Sequence, residues 1–132
     1  MQLFSLTAQV LGTQYLVGVD NDGTGIVVHT PEGPEAARTL VEAERLAHRA
    51  MAMILRRGER PGVPWGLLVS VADVQAVYGE WPLLPGAGEP SSPERTPVAR
   101  IRAEWRDGDG PLRALENAMR IVEAYVGRRA AA

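Results

Sequence analysis

Two segments rich in acids and glycine carry the oxygen ligands that a calcium ion prefers. Residues 20–25 read Asp-Asn-Asp-Gly-Thr-Gly, with oxygen-bearing side chains at alternate positions and a glycine for a sharp turn. A complete calcium loop also needs a bidentate acid at its twelfth position, which here is Pro31. We therefore predict a hairpin turn at residues 20–25. Residues 107–110, Asp-Gly-Asp-Gly, are predicted to turn the chain and to cap the helix that follows.

Two histidines and several serines could in principle perform acid–base or nucleophilic chemistry. His29 falls on a predicted strand and His48 on the edge of a predicted helix, and no spacing pairs either with the acids that a triad or a zinc site requires. Ser70 and the pair Ser91-Ser92 lack the strand–turn–helix context of a nucleophile elbow. No catalytic residue, metal or cofactor is predicted, and the sequence disfavours an enzyme without excluding one.

Three arginines on one side of a predicted strand could bind phosphate groups. Residues 98–107 alternate, with Arg100, Arg102 and Arg106 on one side and apolar residues on the other. Guanidinium groups at alternate strand positions lie about 6.6–7 Å apart and could hold a nucleic acid or an acidic partner. However, Glu104 interrupts the row, and the formal net charge of the chain is −2. A solvated face is favoured, and polyanion or nucleic-acid binding is the alternative.

Composition removes further classes of chemistry. The chain has 132 residues, no cysteine, and arginine at all 14 basic positions, so it offers neither thiolate ligands nor a lysine for a Schiff base. No run of residues approaches the roughly 18 apolar residues of a membrane span. The N-terminus lacks the basic region and cleavage site of a signal peptide. We predict a single cytoplasmic domain, residues 1–132, with no membrane association.

The longest helix signal runs from Pro34 to Gly58, and the rest of the fold is predicted around it. Proline suits a first helical turn, glycine suits a helix end, and neither occurs between these two positions. Small and apolar side chains at helical spacing predict a narrow stripe that lies close against a sheet. The stripe comprises Ala36, Leu40, Ala43, Ala47, Ala50 and Ile54.

The C-terminal end of this predicted helix is apolar on every side, which is typical of a helix buried on more than one side. A helix of this length spans about 35 Å, whereas a typical strand spans about 17–20 Å, so one sheet face cannot cover it. We therefore predict that a second copy of the chain covers this end in a homodimer, with burial within the same chain as the alternative. The predicted interface residues are Met51, Met53, Ile54 and Leu55.

The remaining patterns predict an α+β fold, an antiparallel sheet of about five strands with two main helices largely on one face. The predicted strands are residues 2–11, 15–20, 25–30, 65–72 and 98–107. Residues 71–80 suit a short helix or a strand, and the helix is favoured, giving the order β-β-β-α-β-(short α)-β-α. The last helix starts near Pro111, and Leu115, Ala118, Met119, Val122, Tyr125 and Val126 form its predicted buried stripe.

Two segments are predicted to lack fixed structure. Residues 82–97 are rich in proline and glycine and are predicted to form a mobile loop. Gly127 is predicted to end the last helix, leaving residues 128–132 as a frayed tail.

The order of predicted elements in residues 2–57, a three-stranded meander followed by a helix, is similar to that of small antitoxin modules of the HicB class. That resemblance implies a partial ribonuclease-H-like unit. It involves no shared residue motif, so no site residues are transferred from it. The function predicted from the sequence is a small non-catalytic module that acts by self-association or by binding a protein partner.

Overall fold

The computed structural model describes the backbone of residues 1–71, 74–79, 99–100 and 110–131, and the side chains of 1–71, 74–79 and 110–126. The strands are β1 (Gln2–Val10), β2 (Thr13–Asn21), β3 (Ile26–Thr30), β4 (Gly33–Ala37), β5 (Trp65–Val71), β6 (Val74–Gly79) and β7 (Ala99–Arg100). The helices are α1 (Leu40–Leu55), which continues into one 3₁₀ turn (Arg56–Gly58), and α2 (Pro111–Ala131).

The strands form one sheet in the order β4-β3-β2-β1-β5-β6-β7. All neighbours from β4 to β6 are antiparallel, and the two-residue β7 runs parallel to β6. The two helices contact each other and lie on the same face of the sheet, α1 over β1 to β4 and α2 over β1, β5 and β6. The predicted α+β class is confirmed, with six antiparallel strands instead of about five.

The hairpin turn between β2 and β3 is confirmed, and the Asp22 carboxylate forms hydrogen bonds within the turn. The carboxylate of Asp22 accepts hydrogen bonds from the Thr24 hydroxyl at 2.7 Å, the Thr24 amide at 2.9 Å and the Gly25 amide at 3.1 Å. The hydroxyl bond from Thr24, followed by the backbone bonds, holds the pKa of Asp22 below its ordinary value.

The start of the first helix was predicted wrongly. Gly33–Ala37 is a strand, β4, and α1 begins only at Leu40. The true start is a capping arrangement, in which the Glu42 amide donates to the Thr39 hydroxyl at 3.1 Å and the Arg38 amide donates to the Glu42 carboxylate at 3.1 Å. Pro34 fits β4 because β4 is an edge strand, where a missing N–H is tolerated.

The hydrophobic core lies between the sheet and the two helices. Along α1 the buried residues are Ala43, Ala47, Met51, Ile54 and Leu55, so the observed stripe shares Ala43, Ala47 and Ile54 with the predicted one. Two fully buried alanines on α1 let its backbone lie close to the strands. On α2 the predicted stripe is buried except for Tyr125, which is half-buried, and Ala114, Asn117 and Ile121 are buried beside it.

Residues 74–79 form strand β6, so the favoured short helix was wrong. Val74, Ala76 and Tyr78 alternate into the core, and pairing with β5 fixes the strand. Gly79 ends β6 with φ +71°, and a Cβ there would lie 2.5 Å from the Trp65 carbonyl oxygen. Any residue with a Cβ would therefore clash with the Trp65 carbonyl, and glycine avoids this clash and tolerates the positive φ.

The predicted end of α2 was also wrong, because the helix passes through Gly127 and continues to Ala131. Arginine and alanine are strong helix formers and follow this glycine, and a glycine inside a helix costs only about 1 kcal/mol. The predicted mobile loop, residues 82–97, lies outside the described residues.

Candidate functional site

The predicted interface at the end of α1 lies mainly inside the chain's own core. Met51 and Leu55 have no exposed surface and Ile54 is 7% exposed, whereas Met53 is 59% exposed. The prediction that this end needs a second copy to bury it was wrong for those three residues, because their own chain already buries them in a core cluster that also contains residues of α2. Of the four predicted residues, Met53 alone presents most of its side chain to solvent.

The predicted arginine row lies largely outside the described residues. Arg100 is described by its backbone, which pairs in β7 with Gln75 of β6. Arg102 and Arg106 are not described. Binding of a polyanion by these residues therefore stays a prediction.

One face of the sheet has no described helix over it, and we call it the open face. Side chains alternate along each strand, apart from a register shift between Gln2 and Phe4 of β1, so alternate residues of β1 to β6 lie on this face, opposite the core. Its described residues are Gln2, Ser5, Thr7, Gln9, Gln14, Leu16, Gly18, Asp20, Val27, His29, Pro34, Ala36, Gly66, Leu68, Ser70, Gln75, Val77 and Gly79.

The described part of the open face is almost free of charge. Asp20 and His29 are its ionisable side chains, and they contact each other, with 3.2 Å between the carboxylate and Nε2. Exposed faces of antiparallel sheets are ordinarily polar, and charged side chains are one common means of keeping such a surface in water. Depletion of charge is instead typical of the centre of a protein–protein interface.

An apolar row crosses the middle of the open face. The strand registers place Leu16 beside Thr7, Thr7 beside Leu68, and Leu68 beside Val77. Leu16 is 55% exposed, whereas Thr7, between two leucines, is 9% exposed. These residues form a continuous strip across four strands, with serine and glutamine side chains on either side.

Folding brings His29 to an acid, which the sequence spacing did not indicate. In a catalytic arrangement, His29 would act as the general base and Asp20 would orient it. Such a role also requires a nucleophile within hydrogen-bond distance of His29. Gly18 is the residue that faces His29 on β2, and Ser5 follows on β1. Two strand spacings separate Ser5 from His29, about 9.6 Å, which is too far for direct proton transfer.

A groove of about 380 Å³ lies between the C-terminal half of α1 and the turn that joins β3 to β4, and we call it the Tyr15 groove. Its apolar lining comes from Tyr15, Pro31, Leu46, Ala50, Met53 and Ile54, and its polar lining from Thr30, Glu32, Glu35, Arg49 and Arg57. The Arg57 guanidinium lies 5.9 Å from the centre of the Tyr15 ring, and its Nη1 donates to the Tyr15 hydroxyl at 3.2 Å.

A second groove lies between the outer surfaces of the two helices. It contains His48 together with Glu44, Arg45 and Glu123. Burial, together with the negative charge of Glu123, raises the pKa of Glu44 above its ordinary value. Within residues 1–71, 74–79 and 110–126, no three His, Asp or Glu side chains are grouped so as to hold a metal ion.

Neither helix, over the part of the chain that the structure describes, combines the length and apolar character needed to cross a membrane. Comparison with protein-family models gives no match, and neither do comparisons with curated proteins and with solved structures. The resemblance to HicB-class modules also weakens on the geometry, because β4 stands between the three-stranded meander and α1. The properties of the grooves and faces must therefore carry the functional argument.

Sequence reasoning missed the open face as a candidate site, although a signal for it was present. The polar side of β1 reads Ser5, Thr7 and Gln9, with no charge, and Leu16 interrupts the polar side of β2. Checking which strands lack charge on their outward side would have found this pattern without coordinates.

Proposed function

We propose that this protein is a small non-catalytic interaction module that acts by self-association, and that two copies pair through their open faces. The observation that carries the proposal is the near absence of charge on the described part of that face, combined with its central apolar row. A face of this kind suits burial against another protein surface better than contact with water.

A second copy is the occupant that the surface chemistry fits best. A two-fold interface brings the same patch of both subunits together, so each patch must be complementary to itself. A charged patch would meet its own charge across the axis. A neutral patch with serine and glutamine around an apolar row can instead form apolar contacts at its centre and hydrogen bonds around them.

The size of the open face supports this assignment. Six strands spaced about 4.8 Å apart, each about 20 Å long, give a flat area of roughly 500 Å² before side-chain relief is counted. A standard interface buries about 800 Å² of accessible surface per partner, which is the same order of area. Sheets that pack face to face in this way lie about 10 Å apart.

The test compares two exposed apolar residues on different surfaces. Leu16, 55% exposed, lies on the open face, and Val41, 56% exposed, lies on α1. We expect analytical ultracentrifugation to find a dimer in the micromolar range for the native protein and for Val41→Arg, and a monomer for Leu16→Arg, because the open-face substitution places two like charges together.

Three outcomes would contradict the proposal. A native protein that stays monomeric throughout the micromolar range would remove self-association, and a Leu16→Arg dimer as tight as the native one would remove the open face as its site. A dimer disrupted by Val41→Arg would move the interface to the helices. Circular dichroism of each variant confirms that its fold is intact.

A further inference from the structure

The Tyr15 groove has the dimensions and the lining of a small-ligand site. Pockets that bind small molecules enclose about 300–1,000 Å³ and combine apolar walls with a few polar groups. The groove, at about 380 Å³, is lined by apolar side chains of α1 and by Tyr15 of β2. It is separate from the open face, because Tyr15 lies on the side of β2 that faces the helices.

The charges that line the groove are not equivalent. Arg49 lies 3.9 Å from Glu35, so these two side chains form an exposed ion pair with each other. Among the described residues no carboxylate lies within salt-bridge distance of Arg57, whose guanidinium is held instead by the ring and hydroxyl of Tyr15. Arg57 therefore offers the groove an oriented positive charge with no described carboxylate in direct contact, and Glu32 is the further acid of the lining.

We propose that the Tyr15 groove binds an apolar carboxylate, with the carboxylate on Arg57 and the apolar body against Met53, Ala50 and Ile54. A guanidinium matches the two oxygens of a carboxylate, and its existing contact with Tyr15 reduces the side-chain entropy lost on binding. Met53 adapts its shape to an apolar body more readily than a branched side chain does. The same chemistry is present in a small organic acid and in the free C-terminal residue of a polypeptide.

The probes are 3-phenylpropanoate, its neutral amide 3-phenylpropanamide, and the dipeptide acetyl-Ala-Phe with a free carboxylate. Titration of ¹⁵N-labelled protein, followed by NMR, locates each probe through the amide signals of Tyr15, Ala50 and Met53. We expect saturable shifts at these residues with the two acids and binding at least tenfold weaker with the amide, because charged hydrogen bonds contribute about 1.5–3 kcal/mol.

Arg56 and Arg57 make a matched pair of variants. Both are exposed and lie side by side in the 3₁₀ turn, but only Arg57 lines the groove. Arg57→Gln should weaken the binding of 3-phenylpropanoate about tenfold or more, and Arg56→Gln should leave it unchanged. Tyr15→Phe, which keeps the ring and removes the hydroxyl, should weaken binding by a smaller factor.

The outcomes separate clearly. The absence of saturable shifts, equal binding of acid and amide, or equal losses in Arg56→Gln and Arg57→Gln would each overturn the proposal. Tighter binding of acetyl-Ala-Phe than of 3-phenylpropanoate would assign the site to a polypeptide C-terminus, and the reverse order would assign it to a small acid. Either order upholds the apolar carboxylate as the ligand class.

Discussion

Met51 and Met53 lie two residues apart on α1 and have opposite surroundings. Met51 is fully buried in the core cluster that the sheet and the two helices share, whereas Met53 is 59% exposed and lines the Tyr15 groove. The first methionine therefore supports the fold, and the second is available to a ligand.

The two methionines give a direct test of this division. Met51→Ala should lower the free energy of unfolding by about 2–5 kcal/mol, because it leaves a cavity in the core. Met53→Ala should change it by less than about 0.5 kcal/mol. Chemical denaturation of both variants measures the difference, and equal losses would show that the end of α1 packs differently.

Glu44 gives the molecule a pH-dependent stability. Its pKa is raised in the folded state by burial and by Glu123, so the folded chain holds the proton more tightly than the unfolded chain does. The contribution of Glu44 to stability is therefore fully present below the ordinary pKa of a glutamate and is lost as pH rises through the raised pKa.

Removing this charge should stabilise the folded protein at neutral pH. We expect Glu44→Gln to raise the melting temperature at pH 7. The gain in the free energy of unfolding should be less than about 1 kcal/mol, because the side chain is partly solvated. The gain should vanish below about pH 4, where the native glutamate is protonated in both states. Glu123→Gln relieves the same repulsion and should act in the same direction. A lower melting temperature for Glu44→Gln at pH 7 would contradict this account.

At the scale of elements, the start of α1 depends on one short capping arrangement. The Thr39 hydroxyl accepts from the Glu42 amide at 3.1 Å, and this contact sets the first turn of the helix. Thr39→Ala should cost about 1 kcal/mol of stability, and Thr39→Ser should cost little because it keeps the hydroxyl. Thermal unfolding of the two variants distinguishes them, and equal melting temperatures would show that the cap contributes nothing.

The elements that could be predicted from the sequence are those whose signals are local. The alternation from Phe4 to Val10 of β1, the Asp22 turn and the proline that opens α2 each lie within a few residues. Strand β4 could not be predicted in this way, because Gly33–Ala37 contains residues that rarely favour strands. It is a strand because it pairs with β3.

The candidate sites show the same limit. Met51 and Leu55 are apolar positions that the sequence predicts to be buried, and the core cluster that they join includes residues of α2, more than fifty residues later in the chain. The Tyr15 groove likewise joins Tyr15, the turn after β3 and Arg57, which are distant in sequence. Sequence patterns show which side chains need a neighbour, whereas the fold decides which neighbour each one meets.

At the scale of the whole molecule, the proposed self-association and the polyanion binding predicted from the sequence should respond differently to salt. Pairing through the open face, whose described residues are nearly uncharged, should keep its dissociation constant within a few-fold between about 0.05 and 0.5 M NaCl, since screening acts on charges. Binding of a polyanion by Arg100, Arg102 and Arg106 should weaken steeply over the same range. Ultracentrifugation and heparin retention measure the two effects separately. A dimer that dissociates sharply with added salt would contradict an uncharged interface.

Pro34 sits in the outermost strand, β4, and its ring limits how copies of this chain can join. A further strand laid along that rim would meet a proline where it needs a hydrogen-bond donor. The addition of further strands to the sheet is therefore blocked at the β4 edge. Face-to-face packing of two sheets is not affected by this proline. Concentrated solutions should accordingly contain discrete pairs that do not elongate into thioflavin-binding fibrils.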